Sequence, residues 1–378
     1  MPLDQQLAAL SPETLARLKT RGFDPERLRA WARDLGKGRE ARNRLPGTVE
    51  PPAPGDVVDA PVPGTAEHAR LDALGLEALR CGQVALCLLA GGMATRMGGV
   101  VKSLVEALPG KTFLDLRLAE NAHLQRLGGH RVPLWLMTSE PTDGPIRKAL
   151  EGKIDGDYLA TFEQFVSPRL TKSAANAELF LDEHGQPSVH ATGHGDLPDA
   201  LRASGLLDKF LARGGRVVVI ANIDNLGATV DPAIVGYHLS RGVPVTVELV
   251  DKVGSDRGGG PVRWNGKPII TEEFRLPIGF DPTTVPVFNT NTFLVDATAL
   301  DTLAMDWTYV EVEKKIGAQT AVQFERLLGE ITAELPSQFL RVPREGTVSR
   351  FLPVKDTSEL ERRRPEIEAI ARARGMLV

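Results

Sequence analysis

The stretch Val84-Ala85-Leu86-Cys87-Leu88-Leu89-Ala90-Gly91-Gly92-Met93-Ala94-Thr95-Arg96-Met97-Gly98-Gly99, with Lys102 just beyond, decides how this chain is read. The apolar run to Ala90 predicts a buried strand, and a glycine-rich segment carrying two cations takes over at its end. Glycines let backbone N–H groups approach a polyanion, and Arg96 and Lys102 can neutralise it. Open α/β sheets bind nucleotides at such a strand-to-loop junction, although glycine clusters also serve plain tight turns.

Outward from this point, strand candidates alternate with helices. Val132–Thr138 and Arg216–Ile223 are near-continuous apolar runs, and Asp199–Arg213 between them repeats Leu201, Leu206, Leu207 and Phe210 at helical spacing. Val243–Val250 and Val285–Val295 read as further strands, the second a candidate for antiparallel pairing. Buried strands separated by helices imply a mostly parallel sheet covered on both faces, a doubly wound, Rossmann-like α/β fold. Upstream, residues 1–44 read as helical. Ser11-Pro12-Glu13 and Asp24-Pro25-Glu26 each set a capping side chain before a proline at the first helical position. Six prolines between Leu45 and Gly64 read as a semi-rigid linker or wrapping arm. A helix over about Glu67–Arg80 then leads into the first strand. From about Asp301 the pattern is more helical, with a strongly charged end over Glu359–Arg374. The expected division is a helical segment 1–44, a linker 45–64, a main α/β domain 65–300 and a C-terminal part 301–378.

A chain of 378 residues is long for one unit, and 42% hydrophobic with 25% charged residues is ordinary for a soluble globular protein. A net charge of −4 gives no general attraction to nucleic acid or to an anionic membrane. No apolar stretch approaches membrane-spanning length, and Met1-Pro2-Leu3-Asp4-Gln5 carries no signal-peptide pattern, so a cytoplasmic location is expected. With Cys87 in an extended strand, Cys81 lies roughly 20 Å away, too far for a disulfide. One surface thiol and one buried thiol are expected, which fits a reducing compartment.

Four further segments cluster polar residues where strands or loops end. Ala191-Thr192-Gly193-His194-Gly195-Asp196 presents His194 from a tight turn close to a ligand, or is a surface turn with a solvated histidine. Ala221-Asn222-Ile223-Asp224-Asn225-Leu226-Gly227 ends the most apolar strand. There Asp224 can hold a hard divalent cation bridged to phosphates, the alternative being a helix cap. Phe288-Asn289-Thr290-Asn291-Thr292 alternates asparagines in a strand, where they would project to one face. Their amides can bond a polyhydroxylated ligand, or they form Asx turns. Ser349-Arg350-Phe351-Leu352-Pro353-Val354-Lys355 ends in a lysine able to reach a phosphate as a point charge, or simply solvated.

Taken in order, these segments resemble the UTP–glucose-1-phosphate uridylyltransferase (UDP-glucose pyrophosphorylase) family of the eukaryotic type, from about residue 84 to about 360. Lys111-Thr112-Phe113-Leu114-Asp115-Leu116, Pro133-Leu134-Trp135-Leu136-Met137-Thr138-Ser139, Thr161-Phe162-Glu163-Gln164, Ser204-Gly205-Leu206-Leu207-Asp208 and Asn225-Leu226-Gly227-Ala228-Thr229-Val230-Asp231 add to the resemblance. It implies a nucleotidyltransferase catalytic domain over 65–300, completed by Lys355 from the C-terminal part, and Mg2+ as cofactor. It further implies that Ala90, Gly91, Gly92, Lys102, Gln164 and Gly193 bind UTP, the last two recognising uracil. His194, Asn222, Glu272, Asn289, Asn291 and Lys355 would bind the sugar phosphate, Asp224 the metal, and Arg96, Lys102 and Lys355 would carry catalysis.

The chain departs from the family pattern in places. Ala90-Gly91-Gly92 is similar to the loop of the related UDP-N-acetylhexosamine pyrophosphorylases, no proline precedes Lys102, and Ala191-Thr192 stands where a double proline is usual. Thr292 and Phe293 replace the second Asn and the aromatic segment. The expected reaction is attack of a sugar 1-phosphate oxygen on the α-phosphorus of UTP, with pyrophosphate leaving in line. Glucose 1-phosphate is the expected acceptor, with N-acetylglucosamine or galactose 1-phosphate as alternatives. The chain ends soon after Lys355, where many relatives carry a β-helix used in assembly, so a monomer or small homo-oligomer is expected. A nicotinamide-dependent oxidoreductase is disfavoured because Gly91, Gly92 and Gly98 lack the G-x-G-x-x-G spacing. A non-catalytic UDP-sugar sensor is disfavoured by His194, Asp224 and Lys355 being present.

Overall fold

A computed structural model describes residues 2–35, 38–171, 177–254, 256 and 258–377. Its centre is a sheet of eight strands: β1 (Val57–Asp59), β2 (Val84–Leu89), β3 (Leu134–Thr138), β4 (Leu159–Glu163), β5 (Val217–Asn222), β6 (Val245–Asp251), β7 (Val287–Asp296) and β8 (Ser337–Arg341). They lie in the spatial order β1-β8-β6-β7-β5-β2-β3-β4. Only β7, the candidate for antiparallel pairing, runs antiparallel to its neighbours, β5 and β6; the other pairings are parallel. After β2 the chain adds β3 and β4 on one side, then returns to lay β5 on the other. The strand order therefore reverses between β2 and β5, and a crevice opens at their carboxyl ends.

The continuous apolar runs are explained by helices on both faces. Alternate residues Val84, Leu86, Leu88, Val217, Val219 and Ala221 pack with Leu79, Leu114 and Leu124. The intervening Ala85, Cys87, Val218 and Ile220 pack with Leu201, Leu207 and Phe210. Each fully buried Leu, Ile or Phe contributes about 1.5–3 kcal/mol, so no fully buried position in β2 or in β5 up to Ala221 tolerates a polar side chain cheaply. Cys81 is exposed and Cys87 buried, both as free thiols.

Ser11 and Asp24 cap their helices as expected, accepting from the N–H groups of Thr14 and Glu26. These helices and the turn between them lay Leu18, Phe23 and Leu28 on Val166, Leu170, Val322 and Phe324, and the Trp31 ring stacks on Phe324 at 4.8 Å. No helix among the described residues is long and apolar enough to cross a membrane.

Over 45–64, read as a linker or wrapping arm, Val49–Glu50 pairs with Gly260–Trp264 and β1 forms an outer strand of the sheet beside β8. Two expectations need correction. Asp199–Arg213 is two helices, Leu197–Ala203 and Leu206–Ala212, broken at Gly205, whose φ of 72° no helix permits. The chain after Asp301 is largely extended. Val310–Ile316 and Gln319–Glu325 form a hairpin, β8 follows, and Thr357–Ala373 is the long helix. The alternation Val310-Glu311-Val312-Glu313 is a period of two, which the charge density of the segment masks.

Candidate active site

A cleft of about 680 Å³ occupies the crevice where the strand order reverses. Gly91, Gly92, Lys102, Gln164, Gly193, His194, Asn222, Asp224 and Lys355 all line it, drawn from segments far apart in sequence. The glycine loop leaves β2 and is pinned from both sides. The Ser139 hydroxyl donates to the Gly91 carbonyl at 2.8 Å, and the Lys102 N–H donates to the Gly92 carbonyl at 3.2 Å. A Cβ on Gly91 would sit 2.4 Å from Gln164 Oε1, so only glycine lets this amide lie against the loop.

Across the cleft, Asp224 follows β5 and is 5% exposed. Its Oδ2 lies 2.6 Å from Lys102 Nζ and accepts weakly from the Val354 N–H at 3.4 Å. Asn225 ties this loop to the C-terminal part. Its Oδ1 accepts from the Leu352 N–H at 2.7 Å and its Nδ2 donates to the Arg350 carbonyl at 3.2 Å. That link delivers the exposed Lys355 to the cleft mouth.

The opposite end is built on Arg326, which the sequence reading passed over. Arg326 Nε donates to Asp196 Oδ1 at 2.5 Å, with its guanidinium 5.1 Å from the Trp307 ring centre and 5.4 Å from that of Phe165. Desolvation lifts the Asp196 carboxyl to about 6 against the opposing pull of Arg326. Gly193 passes over this cluster with φ at 98°, and a Cβ there would stand 2.4 Å from the Arg326 carbonyl oxygen. A Gly193→Ala variant is expected to lose about 1–3 kcal/mol of stability, because neither the dihedral nor the backbone contact can relax; urea unfolding measures it.

His194 Nδ1 accepts from the Leu328 N–H at 3.0 Å, which leaves the proton of a neutral ring on Nε2. Burial pushes this imidazole down to about 4, and that of the neighbouring His190 to about 3. Both rings are expected to stay neutral at pH 5.5 in an NMR titration, where a free imidazole near 6.5 would be protonated; an inflection near 6.5 would contradict the geometry. The unfolded chain binds these protons first, so stability is fully present above pH 6.5 and falls as pH drops from there towards 4.

Five expected site residues do not line the cleft. Ala90 is buried beneath the loop, donating its N–H to the Met137 carbonyl at 2.8 Å. Arg96 is exposed on the rim. The Glu359 N–H and the Ser358 hydroxyl hold the Asp356 carboxyl low, with a smaller contribution from Arg96, which places Arg96 near the Lys355 segment. Glu272 borders a separate depression with Arg39, Asn43 and Arg44, and burial raises its carboxyl.

The asparagines do not simply alternate onto one face, because β7 bulges between them: Glu248 pairs with Thr292 while Leu249 pairs with Asn289. Asn289 Oδ1 accepts from the Asn291 N–H at 2.9 Å, the Asx turn offered as the alternative. Asn291, at φ 59°, donates from Nδ2 to Asn222 Oδ1 at 3.0 Å and so backs a residue that does line the cleft.

No cluster of three His, Cys, Asp or Glu side chains suited to a metal occurs among the described residues. A single buried carboxylate beside a lysine is not a protein cage. It suits a hard cation that takes most of its ligands from water and substrate phosphates, which is how Mg2+ is commonly bound.

The model of the family described as UTP–glucose-1-phosphate uridylyltransferase matches residues 61–364. The enzyme of that name from Encephalitozoon cuniculi is 30% identical over 292 residues, covering 74% of this chain and 57% of the relative. That from Musa acuminata is 31% identical over 291 residues, covering 74% and 62%. The chain thus spans about six-tenths of the length of these curated relatives. Among solved structures, UDP-glucose phosphorylase from Trypanosoma brucei superposes with a TM-score of 0.73 at 24% identity, covering 92% of this chain and 76% of that one. A uridine diphosphate N-acetylglucosamine pyrophosphorylase from the same organism gives 0.73 at 22%, covering 93% and 79%. These likenesses show the fold, and the family match with the relatives' identity shows the lineage: the chain belongs to the UTP–glucose-1-phosphate uridylyltransferase family.

Proposed function

We propose that the chain joins UTP and glucose 1-phosphate into UDP-glucose with release of pyrophosphate. The observation that carries this reading is the convergence of Gly91, Lys102, His194, Asp224 and Lys355 on one cleft at the sheet's switch point. The uracil ring rests against Gly91 and Gly92, with Gln164 and the Gly193 backbone on its polar edge. Lys102 exchanges its bond to Asp224 for one to the triphosphate. His194, as a neutral donor through Nε2–H, holds the sugar phosphate, and Lys355 neutralises phosphate charge at the mouth. Arg96 on the rim steers the anions inward. Asp224 would hold Mg2+, which supplies further neutralisation on the phosphate oxygens.

No side chain acts as a nucleophile. The sugar phosphate oxygen forms its bond to the α-phosphorus, the bond to the bridging oxygen breaks, and that electron pair leaves with pyrophosphate. Two polyanions brought together repel by several kcal/mol at an intermediate dielectric, so positioned cations and donors supply most of the acceleration. In this reading 65–300 forms the catalytic domain, 301–378 completes it, 45–64 wraps it and 1–44 braces the strands behind the uracil end. The protein works in the cytoplasm as a monomer or small homo-oligomer.

A second reading of the acceptor rests on one observation: Asn289, the amide expected to grip glucose, spends its oxygen on the Asn291 N–H. N-acetylglucosamine or galactose 1-phosphate would then be preferred. The test is pyrophosphate release from UTP and Mg2+ with the three sugar 1-phosphates in parallel. The highest kcat/KM is expected with glucose 1-phosphate. A higher value with another sugar selects the second reading, and no release with any sugar while UTP still binds refutes both.

A further inference from the structure

Arg117 lies on the Phe113–Gly128 helix, 0% exposed, in a stretch that nothing about the cleft would single out. Its guanidinium uses all five N–H donors. Nε bonds the Ile223 carbonyl at 3.2 Å, Nη2 the Asn222 and Asn225 carbonyls at 3.1 and 2.6 Å, and Nη1 the Ala228 carbonyl at 3.1 Å. The last donor goes to Glu120 Oε2 at 2.6 Å, and Glu120 Oε1 in turn accepts from the Val230 N–H at 3.0 Å. Four carbonyls, one at the end of β5 and three in the turn after it, therefore converge on one cation; those of Asn222 and Asn225 also accept from the N–H groups of Asn225 at 3.2 Å and Ala228 at 2.9 Å. Leaving buried carbonyls short of a donor is costly, so a planar, fivefold donor beneath the turn fixes its shape. The turn carries Asn222 and Asp224, whose side chains face the other way, into the cleft.

We propose that Arg117, balanced by Glu120, is a positioning residue that sets the turn 222–228 so that Asp224 meets the metal-bound triphosphate. The inference deepens the reading above and rests on it. Lysine cannot replace this arginine, since an ammonium has three donors and no fork. Uracil contacts come from Gly91, Gln164 and Gly193, none of which touches Arg117, so the base end stays intact when the turn loosens.

The experiment compares wild type, Arg117→Lys and Glu120→Gln by three measurements: UMP binding without metal, Mn2+ binding in the presence of UTP by electron paramagnetic resonance, and kcat with KM for UTP. For Arg117→Lys, UMP affinity within twofold of wild type is expected, with Mn2+ affinity at least tenfold weaker and kcat at least thirtyfold lower. Glu120→Gln should move both in the same direction by three- to tenfold. Unchanged Mn2+ affinity and kcat in the folded variants overturns the proposal, as does a loss of UMP binding in step with Mn2+. If Arg117→Lys does not fold, Glu120→Gln decides by the same criteria. Failure of the underlying reading looks different, because wild type itself would then release no pyrophosphate.

Discussion

Replacing Lys102 with methionine is expected to lower kcat/KM for UTP about a thousandfold while leaving the chain folded. The size follows from the place of the ammonium. It is the cation of the glycine loop that lies inside the cleft, whereas Arg96 stands on the rim and Lys355 at the mouth. Removing a preorganised charge from a partly dry site forfeits the stabilisation of charge that grows on the phosphates during transfer. The same substitution has an opposite effect on the free protein. Lys102 Nζ sits 2.6 Å from Asp224, so without it the buried carboxylate has lost its counter-ion. Mn2+ without nucleotide is therefore expected to bind Lys102→Met more tightly than wild type, even as turnover collapses. Steady-state pyrophosphate release and metal titration check the two halves. A kcat/KM within tenfold of wild type would remove Lys102 from the mechanism.

Arg350→Met is expected to cost about 3–5 kcal/mol of stability although it lies outside the cleft. Arg350 and Glu248 are 3% and 0% exposed in their side chains, joined by Nη2 to Oε1 at 2.5 Å and Nε to Oε2 at 2.8 Å. Arg350 Nη2 also donates to the Thr229 carbonyl at 2.9 Å. Methionine fills most of the volume but leaves the Glu248 carboxylate in the middle of the sheet without its bonded cation, Arg374 acting only at longer range. Desolvation of a lone buried charge, rather than loss of the bridge itself, sets the cost. The double variant Glu248→Leu with Arg350→Met should accordingly recover most of the loss in urea unfolding. If the double variant is no more stable than Arg350→Met alone, the cost lies in packing instead. Because Arg350 precedes Lys355 on the same strap and its carbonyl holds Asn225, Arg350→Met should also raise the KM for UTP.

Several parts of this molecule were open to reading from residues alone. The strands Val84–Leu89 and Val217–Asn222 announce themselves because both their faces are covered, which removes every polar position before Asn222 at the cleft. Proline after Ser11 and Asp24 marks helix starts because the missing N–H is one a helix leaves unbonded anyway. The glycine loop and the segments carrying His194, Asp224 and Lys355 stood out because polar residues at the ends of apolar strands have little structural reason to be there.

Other parts escaped for identifiable reasons. The hairpin over Val310–Glu325 hides its two-residue period under charge, since one of its faces carries Lys314, Gln323 and Glu325 into the cleft. The bulge in β7 breaks the alternation on which the asparagine argument depended, and no local residue signals it. Arg117 and Arg326 look like ordinary surface arginines in the sequence. They act by bonding carbonyls and carboxylates that lie about a hundred residues away along the chain, a relation no spacing rule contains.

Local pattern thus settled the elements and the kind of chemistry, because a strand's burial and a loop's glycines are properties of neighbouring residues. Which groups meet was decided by the order of strands in the sheet. Crossing back from β4 to β5 sets Asp224 opposite Gly91, buried arginines turn the loops to face one another, and only then do a lysine, an aspartate and a histidine share one cleft.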